Sequence, residues 1–254
     1  MLLVKQKDNK WAIKHFSDGH HNQRERFLLT FAKIMKEIGA LIQKEITLEW
    51  RQKYALNGML LYIVSTVFVA YISFKLKINQ MDPITWNTLF WIILLFAAVN
   101  SITKSFTQER VGRQLYYYTI VSPQAVILSK IVYNVLMMTF LGLVGFGVYS
   151  AMMGYLAADF LMYITAIVLG GIGFSSTLTM VAGIASKAEN TSTLMAVLSF
   201  PVILPMLSML IKFSKNAMDG LGWATSTDEI MTLLGIDMIV IALSYLLFPY
   251  LWKS

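Results

Sequence analysis

Six apolar stretches, each close to 20 residues long or longer, constrain this chain more than any other feature of its sequence. The hydrocarbon core of a bilayer is about 30 Å thick, and about 20 apolar residues of helix cross it. A backbone in lipid must satisfy its hydrogen bonds internally, and stretches without strict alternation do so as helices. The sequence therefore predicts an all-α, polytopic membrane protein whose six transmembrane helices are Asn57–Leu76, Ile84–Thr103, Ala125–Tyr149, Phe160–Ile184, Leu194–Ile211 and Ile230–Leu251.

The composition narrows the chemistry that is open to such a bundle. The chain has no cysteine, which excludes disulfides, thiolate metal sites and cysteine nucleophiles. Its three histidines, His15, His20 and His21, all precede the first span, so a haem iron inside the spans would need another ligand. We expect no metal site, no catalytic residues and no resident cofactor.

The segments before the first span differ from each other in pattern. Residues 1–34 are polar and basic and predict a solvated arm. In residues 35–56 and just before them, Ile34, Ile38, Ile42, Ile46 and Trp50 recur every four residues, which indicates an amphipathic helix. Such a helix suits the membrane interface, although a helix packed on a partner protein fits the pattern too. Residues 57–254 form the transmembrane domain.

The distribution of lysine and arginine predicts the orientation. With the N-terminus in the cytoplasm, 17 of these residues fall on the inside and 4 on the outside. Cytoplasmic segments carry the excess of positive charge, so both termini are expected to be cytoplasmic. This basic charge faces lipid headgroups, and no nucleic-acid partner is expected.

Two spans carry unusual backbone signals. Gly170, Gly171 and Gly173 lie in the fourth span, where small residues let helices pack closely. Pro201 and Pro205 lie in the fifth span, where each removes a helical hydrogen bond and predicts a kink or an unwound segment. Neither signal identifies a substrate.

One acidic residue, Asp237, falls inside the sixth span, one or two turns from its outer end. An acid in a span raises the hypothesis of a functional group, and an interfacial or hydrogen-bonded structural acid is the alternative. The spans contain no histidine to act as a base, which disfavours an intramembrane hydrolase.

The loop between the second and third spans is more than a connection. It mixes charged residues with Leu115 and three successive tyrosines, and predicts a short amphipathic helix docked on the membrane or on another protein. The chain lacks a glycine-rich phosphate loop ending in Gly-Lys-Ser/Thr. If ATP drives this protein, another subunit hydrolyses it.

Over most of its length, from about Ile38, the chain resembles the permease subunits of ABC-2-type exporters, and in particular the haem exporter protein B (CcmB) family. The residues that carry the resemblance are Lys44, Glu45, Phe106, Glu109, Arg110, Gly112, Leu115, Pro123, Lys130, Gly170, Gly171, Gly173, Pro201 and Pro205.

The resemblance implies a permease subunit, not an enzyme, in a bacterial inner-membrane complex for cytochrome c maturation. It implies two copies of the chain, an ATPase subunit (CcmA-like), CcmC-like and CcmD-like subunits, a CcmE-like haem chaperone, and haem as possible cargo. It also implies that the ATPase engages a coupling loop containing Glu109, Arg110, Gly112, Arg113, Leu115, Tyr116, Pro123 and Lys130.

Three other functions remain open at this point. A generic ABC-2 exporter of lipid, polysaccharide or drug would share the loop. An ion-coupled secondary transporter would depend on Asp237 instead. A structural membrane scaffold would depend on neither.

Overall fold

The described part of the chain forms seven helices in a computed structural model of the protein. The structure describes residues 4–5, 11–12, 17–52, 54–75, 82–107, 121–154, 157–185 and 191–253. The helices are α1 (Ser17–Gln52), α2 (Tyr54–Lys75), α3 (Pro83–Thr107), α4 (Pro123–Met153), α5 (Phe160–Ala185), α6 (Thr191–Met218) and α7 (Thr227–Lys253). A 3-10 turn, Trp223–Ser226, precedes α7, and two-residue strands, β1 (Val4–Lys5) and β2 (Trp11–Ala12), pair antiparallel near the N-terminus.

The six helices α2 to α7 are each long and apolar enough to cross a membrane. They coincide with the six predicted spans, so the all-α polytopic fold class is confirmed. Several helices are longer than predicted. Helix α4 has 31 residues and a length of about 46 Å, well over the hydrocarbon thickness. Helix α6 continues seven residues beyond Ile211.

Helix α5 is the centre of the bundle. Of its span, 78% is buried within the protein, compared with 17% for α2 and 22% for α7. It packs against α3, α4, α6 and α7. Its small residues allow this because a helix surrounded by four others has little room for side chains.

Helix α1 begins at Ser17, so the second half of the predicted polar arm is helical. Ile38 and Leu41, from the predicted apolar stripe, are buried against the start of α4 and against Phe248 near the end of α7. Ile46 and Trp50 on the same stripe are exposed. The first part of the stripe therefore packs against α4, and the later part faces the surroundings of the protein.

Helices α1 and α2 follow α4 lengthwise in the same direction. Glu37 contacts Ser122, Glu49 contacts Tyr133, and Ile63 of α2 lies against Gly145. We call the end of the bundle that contains Ser122 and the C-terminus of α7 the proximal end, and the opposite end the distal end.

A polar network at the distal end joins α3, α5 and α6. The hydroxyl groups of Tyr163 and Ser214 donate to Asn87 Oδ1 at 3.0 and 2.9 Å, and Asn87 Nδ2 donates to the carbonyl of Ile211 at 2.9 Å. Trp91 Nε1 donates to Ser214 Oγ at 2.8 Å. This distal network sits beside a cluster of aromatic rings formed by Trp86, Phe90, Phe146, Tyr149 and Tyr163.

Candidate functional site

Most of the predicted coupling loop lies outside the described residues. This applies to Glu109, Arg110, Gly112, Arg113, Leu115 and Tyr116, and their roles stay predictions. The described chain resumes at Val121, and Pro123 is the first residue of α4. Proline suits this position because the first N–H of a helix has no helical partner. The loop therefore continues directly into α4, so a force on the loop is transmitted to the start of α4.

The start of α4 is tied to α1 by a carboxylate. Ser122 donates to Glu37 Oε2 twice, from its hydroxyl at 2.7 Å and from its backbone N–H at 3.2 Å. The negative charge of Glu37 lies at the N-terminus of α4, where the free N–H groups of a helix favour an anion. Glu37 also lies 3.9 Å from Lys33, whose exposure makes that ion pair weak.

A second carboxylate of α1 reaches two other helices. Glu49 Oε1 accepts the backbone N–H of Leu56, in the first turn of α2, at 2.7 Å. Its other oxygen accepts the hydroxyl of Tyr133, on α4, at 3.4 Å. Glu49 thus satisfies an N–H group that α2 leaves free at its start. Together, Glu37 and Glu49 fasten α1 to α4 at two points about 18 Å apart along α1.

Sequence reasoning did not single out Glu37 or Glu49 as site residues. In the sequence both are ordinary acids flanking an amphipathic helix, and the partners Ser122 and Tyr133 lie 85 and 84 residues away. A carboxylate that caps a helix distant along the chain has no recognisable pattern in the sequence around it.

The remaining predicted residues near the loop are placed as follows. Lys130 lies two turns into α4 with only 4% of its surface exposed, so its side chain packs inside the protein. Lys44 and Glu45 form an ion pair at 2.9 Å on α1. Lys130 therefore belongs to the packing of α4, whereas Pro123 stands at the loop junction.

The two prolines of α6 do not interrupt the helix. The α-helix runs from Thr191 to Met218 through Pro201 and Pro205, and no unwound segment separates them. Both rings lie at exposed positions, one turn apart. Each proline leaves a backbone carbonyl one turn earlier without its usual donor, so a kink at this site stays a prediction.

The three glycines of α5 are buried where neighbouring side chains come closest. A methyl group placed on Gly170 would lie 2.5 Å from Trp91 Cζ3, and one on Gly171 would lie 3.0 Å from Thr139 Oγ1. A methyl group on Gly173 would collide with the sulfur of Met206. Each glycine thus admits a side chain from a different helix, namely α3, α4 and α6.

Asp237 lies deeper than its sequence position indicates. The methyl position of Gly173 is 2.8 Å from Asp237 Oδ1, which places the carboxyl near the midpoint of α5. Only 3% of Asp237 is exposed. The sequence estimate of one or two turns from the helix end was too shallow, because α7 begins at Thr227, three residues earlier than the predicted span.

Comparison with known proteins gives one family. Residues 36–250 match the family model described as CcmB protein. The match includes about the second half of α1 and the six spans, together with the loop between α3 and α4. No curated protein and no solved structure matches the chain.

Proposed function

The chain belongs to the CcmB family, the permeases of cytochrome c maturation, and from this premise we propose how it works. It is the membrane subunit through which a separate ATPase drives release of the haem-loaded chaperone. Two copies act with CcmA-like, CcmC-like and CcmD-like subunits and a CcmE-like chaperone. The complex lies in the bacterial inner membrane with both termini of this chain in the cytoplasm.

The observation that carries the proposal is the length of the family match. It extends over 36–250, so the loop that faces the predicted ATPase and the spans that follow it belong to the same unit. A match confined to one or two spans would support only a generic membrane protein.

The contacts of α1 support a route for force from the loop into the bundle. The loop enters α4 at Ser122 and Pro123, and Glu37 joins this point to α1. Glu49 joins α1 to Tyr133 on α4 and to the start of α2. A push on the loop therefore moves the first three turns of α4 together with α1, and α2 follows.

Within the loop, we assign polar contacts with the ATPase to Glu109, Arg110 and Arg113. Leu115 and Tyr116 anchor the loop, and Gly112 provides a turn between the two groups. These roles come from the family resemblance. Lys130 does not share them, because its side chain is buried.

Haem remains possible cargo in this proposal, without a ligand assigned to it. The histidines of the chain are His15, His20 and His21, all ahead of the spans. We therefore assign the chain the role of an energy-transducing subunit, whose helices move in response to ATP hydrolysis elsewhere.

The first test is to identify what the protein binds. Tagged protein purified in mild detergent should bring down an ATPase subunit together with a CcmC-like subunit. An ATPase accompanied by unrelated exporter components would replace this proposal with a generic exporter. Absence of any ATPase would contradict energy transduction by a partner subunit.

The second test is the double variant Glu109→Gln/Arg110→Gln. It should abolish covalent attachment of haem to c-type cytochromes while the protein stays in the membrane, because the polar contacts with the ATPase are lost. The matched control is Lys215→Gln/Asp219→Asn, which removes an ion pair at the distal end and should leave maturation unchanged. Normal maturation in the loop variant would refute the coupling role.

A further inference from the structure

Asp237 belongs to the face of α7 that packs into the bundle. The buried residues of this face recur at helical spacing: Leu233, Asp237, Val240, Ser244 and Phe248. Phe248 lies against Gly183 and Asp237 lies against Gly173, so α7 runs along α5 in the same direction. Because α5 crosses the bilayer and Gly173 is near its midpoint, the carboxyl of Asp237 lies near the middle of the membrane.

The carboxyl of Asp237 has no hydrogen-bond partner within the described part of the chain, on either oxygen. Asp237 Oδ1 and the thioether of Met206 on α6 both lie close to the missing side chain of Gly173 on α5. Ser244, two turns further along the same face, is different, because its hydroxyl donates to the carbonyl of Val240 at 2.7 Å. The lack of a partner is therefore not shared by every polar residue on this face of α7, although Ser175 and Thr177 on α5 also have buried hydroxyl groups without a partner among the described residues.

The charged groups of the surrounding helices are engaged elsewhere. Helix α5 carries one ionisable side chain, Tyr163, which is part of the distal network. On α6, Lys212 pairs with Glu229 of α7 and Lys215 pairs with Asp219. Helix α4 carries Lys130, Tyr133 and Tyr149. Among the described residues, no charged side chain interacts with Asp237.

An ionised carboxylate in this position would be very costly. A charge in an apolar interior without a partner is strongly disfavoured, and such groups become neutral instead. A metal cation would need several oxygen ligands, and the described residues contain no cluster of three metal-binding side chains. A proton needs only the carboxyl itself.

We propose that Asp237 is a proton-binding site built into the α5–α7 interface. It holds a proton while α7 lies against Gly173, and it releases the proton when the two helices separate and water reaches the carboxyl. The missing side chain of Gly173 is what seats the carboxyl, since a methyl group there would lie 2.8 Å from Oδ1. The assignment of this site does not depend on the identity of the cargo or on the partner ATPase.

Infrared spectroscopy of the full-length protein in lipid vesicles tests the site directly. At neutral pH the protein should show the carbonyl band of a protonated carboxylic acid, which is lost in Asp237→Asn. The control Glu229→Gln should keep the band, because the Glu229 carboxylate pairs with Lys212. Absence of the band from the wild-type protein, or its survival in Asp237→Asn, would overturn the proposal.

A second measurement needs no variant of the site. Selective ¹³C-labelling of aspartate in the wild-type protein should shift the same band, which identifies the protonated acid as an aspartic acid. Asp237 is the one buried aspartate among the described residues, so a shift supports the site. An unshifted band would assign the proton to a glutamic acid and refute it.

The dependence of stability on pH gives an independent readout. Because the packed state binds the proton more tightly than the separated state, raising the pH above neutral should lower the melting temperature of the wild-type protein. Asp237→Asn has no proton to lose at this position and should show a smaller loss. Equal losses in both proteins would contradict the site.

Discussion

The distal network and the Asp237 site are both polar groups buried in the same bundle, yet their surroundings differ. In the distal network, every polar group of Asn87 reaches a partner on another helix. Asp237 has no hydrogen-bond partner among the described residues, and it faces a glycine and a methionine. Both polar atoms of the Asn87 side chain have partners, and neither carboxyl oxygen of Asp237 has one in the described part of the chain.

The distal network is therefore a fixed contact between helices, whereas the contact between Asp237 and Gly173 can change. Groups matched across three helices resist separation, because moving any helix leaves the others unsatisfied in lipid. Asp237 makes no hydrogen bond with the described residues that would hold α7 against α5, so only the packing of neighbouring side chains holds it there. We therefore expect α3, α5 and α6 to move as one body at the distal end, and α7 to be the helix that can separate from α5.

The largest effect is expected when alanine replaces Gly170. The new methyl group would lie 2.5 and 2.8 Å from two ring carbons of Trp91, whose indole is held by Ser214 and cannot move freely. Overpacking of this kind costs about 3 kcal/mol of the free energy of unfolding. Unfolding by titration with sodium dodecyl sulfate measures it.

Two glycine controls sharpen this prediction. Gly173→Ala should cost less, about 1 kcal/mol, because the flexible thioether of Met206 and the side chain of Asp237 can both shift. Gly147→Ala should be neutral or slightly stabilising, since no atom lies within 4 Å of the new methyl group. If Gly173→Ala is as costly as Gly170→Ala, the distal end is no more rigid than the α5–α7 interface.

An intermediate effect is expected for Asn87→Ala. The substitution leaves the fully buried hydroxyl of Tyr163 without its partner. It also removes one bond to the carbonyl of Ile211, which keeps its contact with Ser214 Oγ. Measured interhelical bonds in membranes average about 0.6 kcal/mol, and a buried group without a partner costs about 1–3 kcal/mol, so the total should be about 2 kcal/mol.

The control for this variant is Asn100→Ala, an exposed asparagine on the same helix. The same unfolding titration should show little change. Equal stability of Asn87→Ala and Asn100→Ala would mean that the distal network does not hold the helices together.

The smallest effect is expected for Ser244→Ala. This serine shares its face with Asp237 and is equally buried, but its hydroxyl bonds to its own helix. Because the acceptor Val240 carbonyl is already part of the helical backbone, the loss should stay within about 0.5 kcal/mol. The infrared band of the protonated acid should also be retained. A large loss of stability would show that Ser244, too, bonds across the interface.

The sequence predicted the number of spans, because apolar length depends on local composition. Apolar length alone fixes a transmembrane helix, so each span could be located to within a few residues. Helix ends were less accurate. Helix α1 starts at Ser17, within the segment that was predicted to be a solvated arm. The extension of α6 to Met218 accompanies contacts of its polar residues, such as Asn216 with Ser226 and Lys212 with Glu229.

The candidate site was predicted only in part. Pro123 was assigned to the coupling loop by the resemblance, and the structure shows it as the first residue of α4, a position that suits proline. Lys130 was grouped with the coupling loop by the resemblance, and the structure buries its side chain, since its exposure depends on which face of α4 packs inward. The carboxylates of Glu37 and Glu49 could not be found, because their partners are distant along the chain.

Six membrane crossings follow from the amino-acid sequence alone, because lipid requires every long apolar segment to close its own hydrogen bonds. The family follows from it as well, through residues 36–250. Which polar groups find partners depends instead on how the helices pack. Asn87 and Asp237 are both polar residues within apolar spans, and only the arrangement of neighbouring helices gives partners to the first and leaves the second facing Gly173.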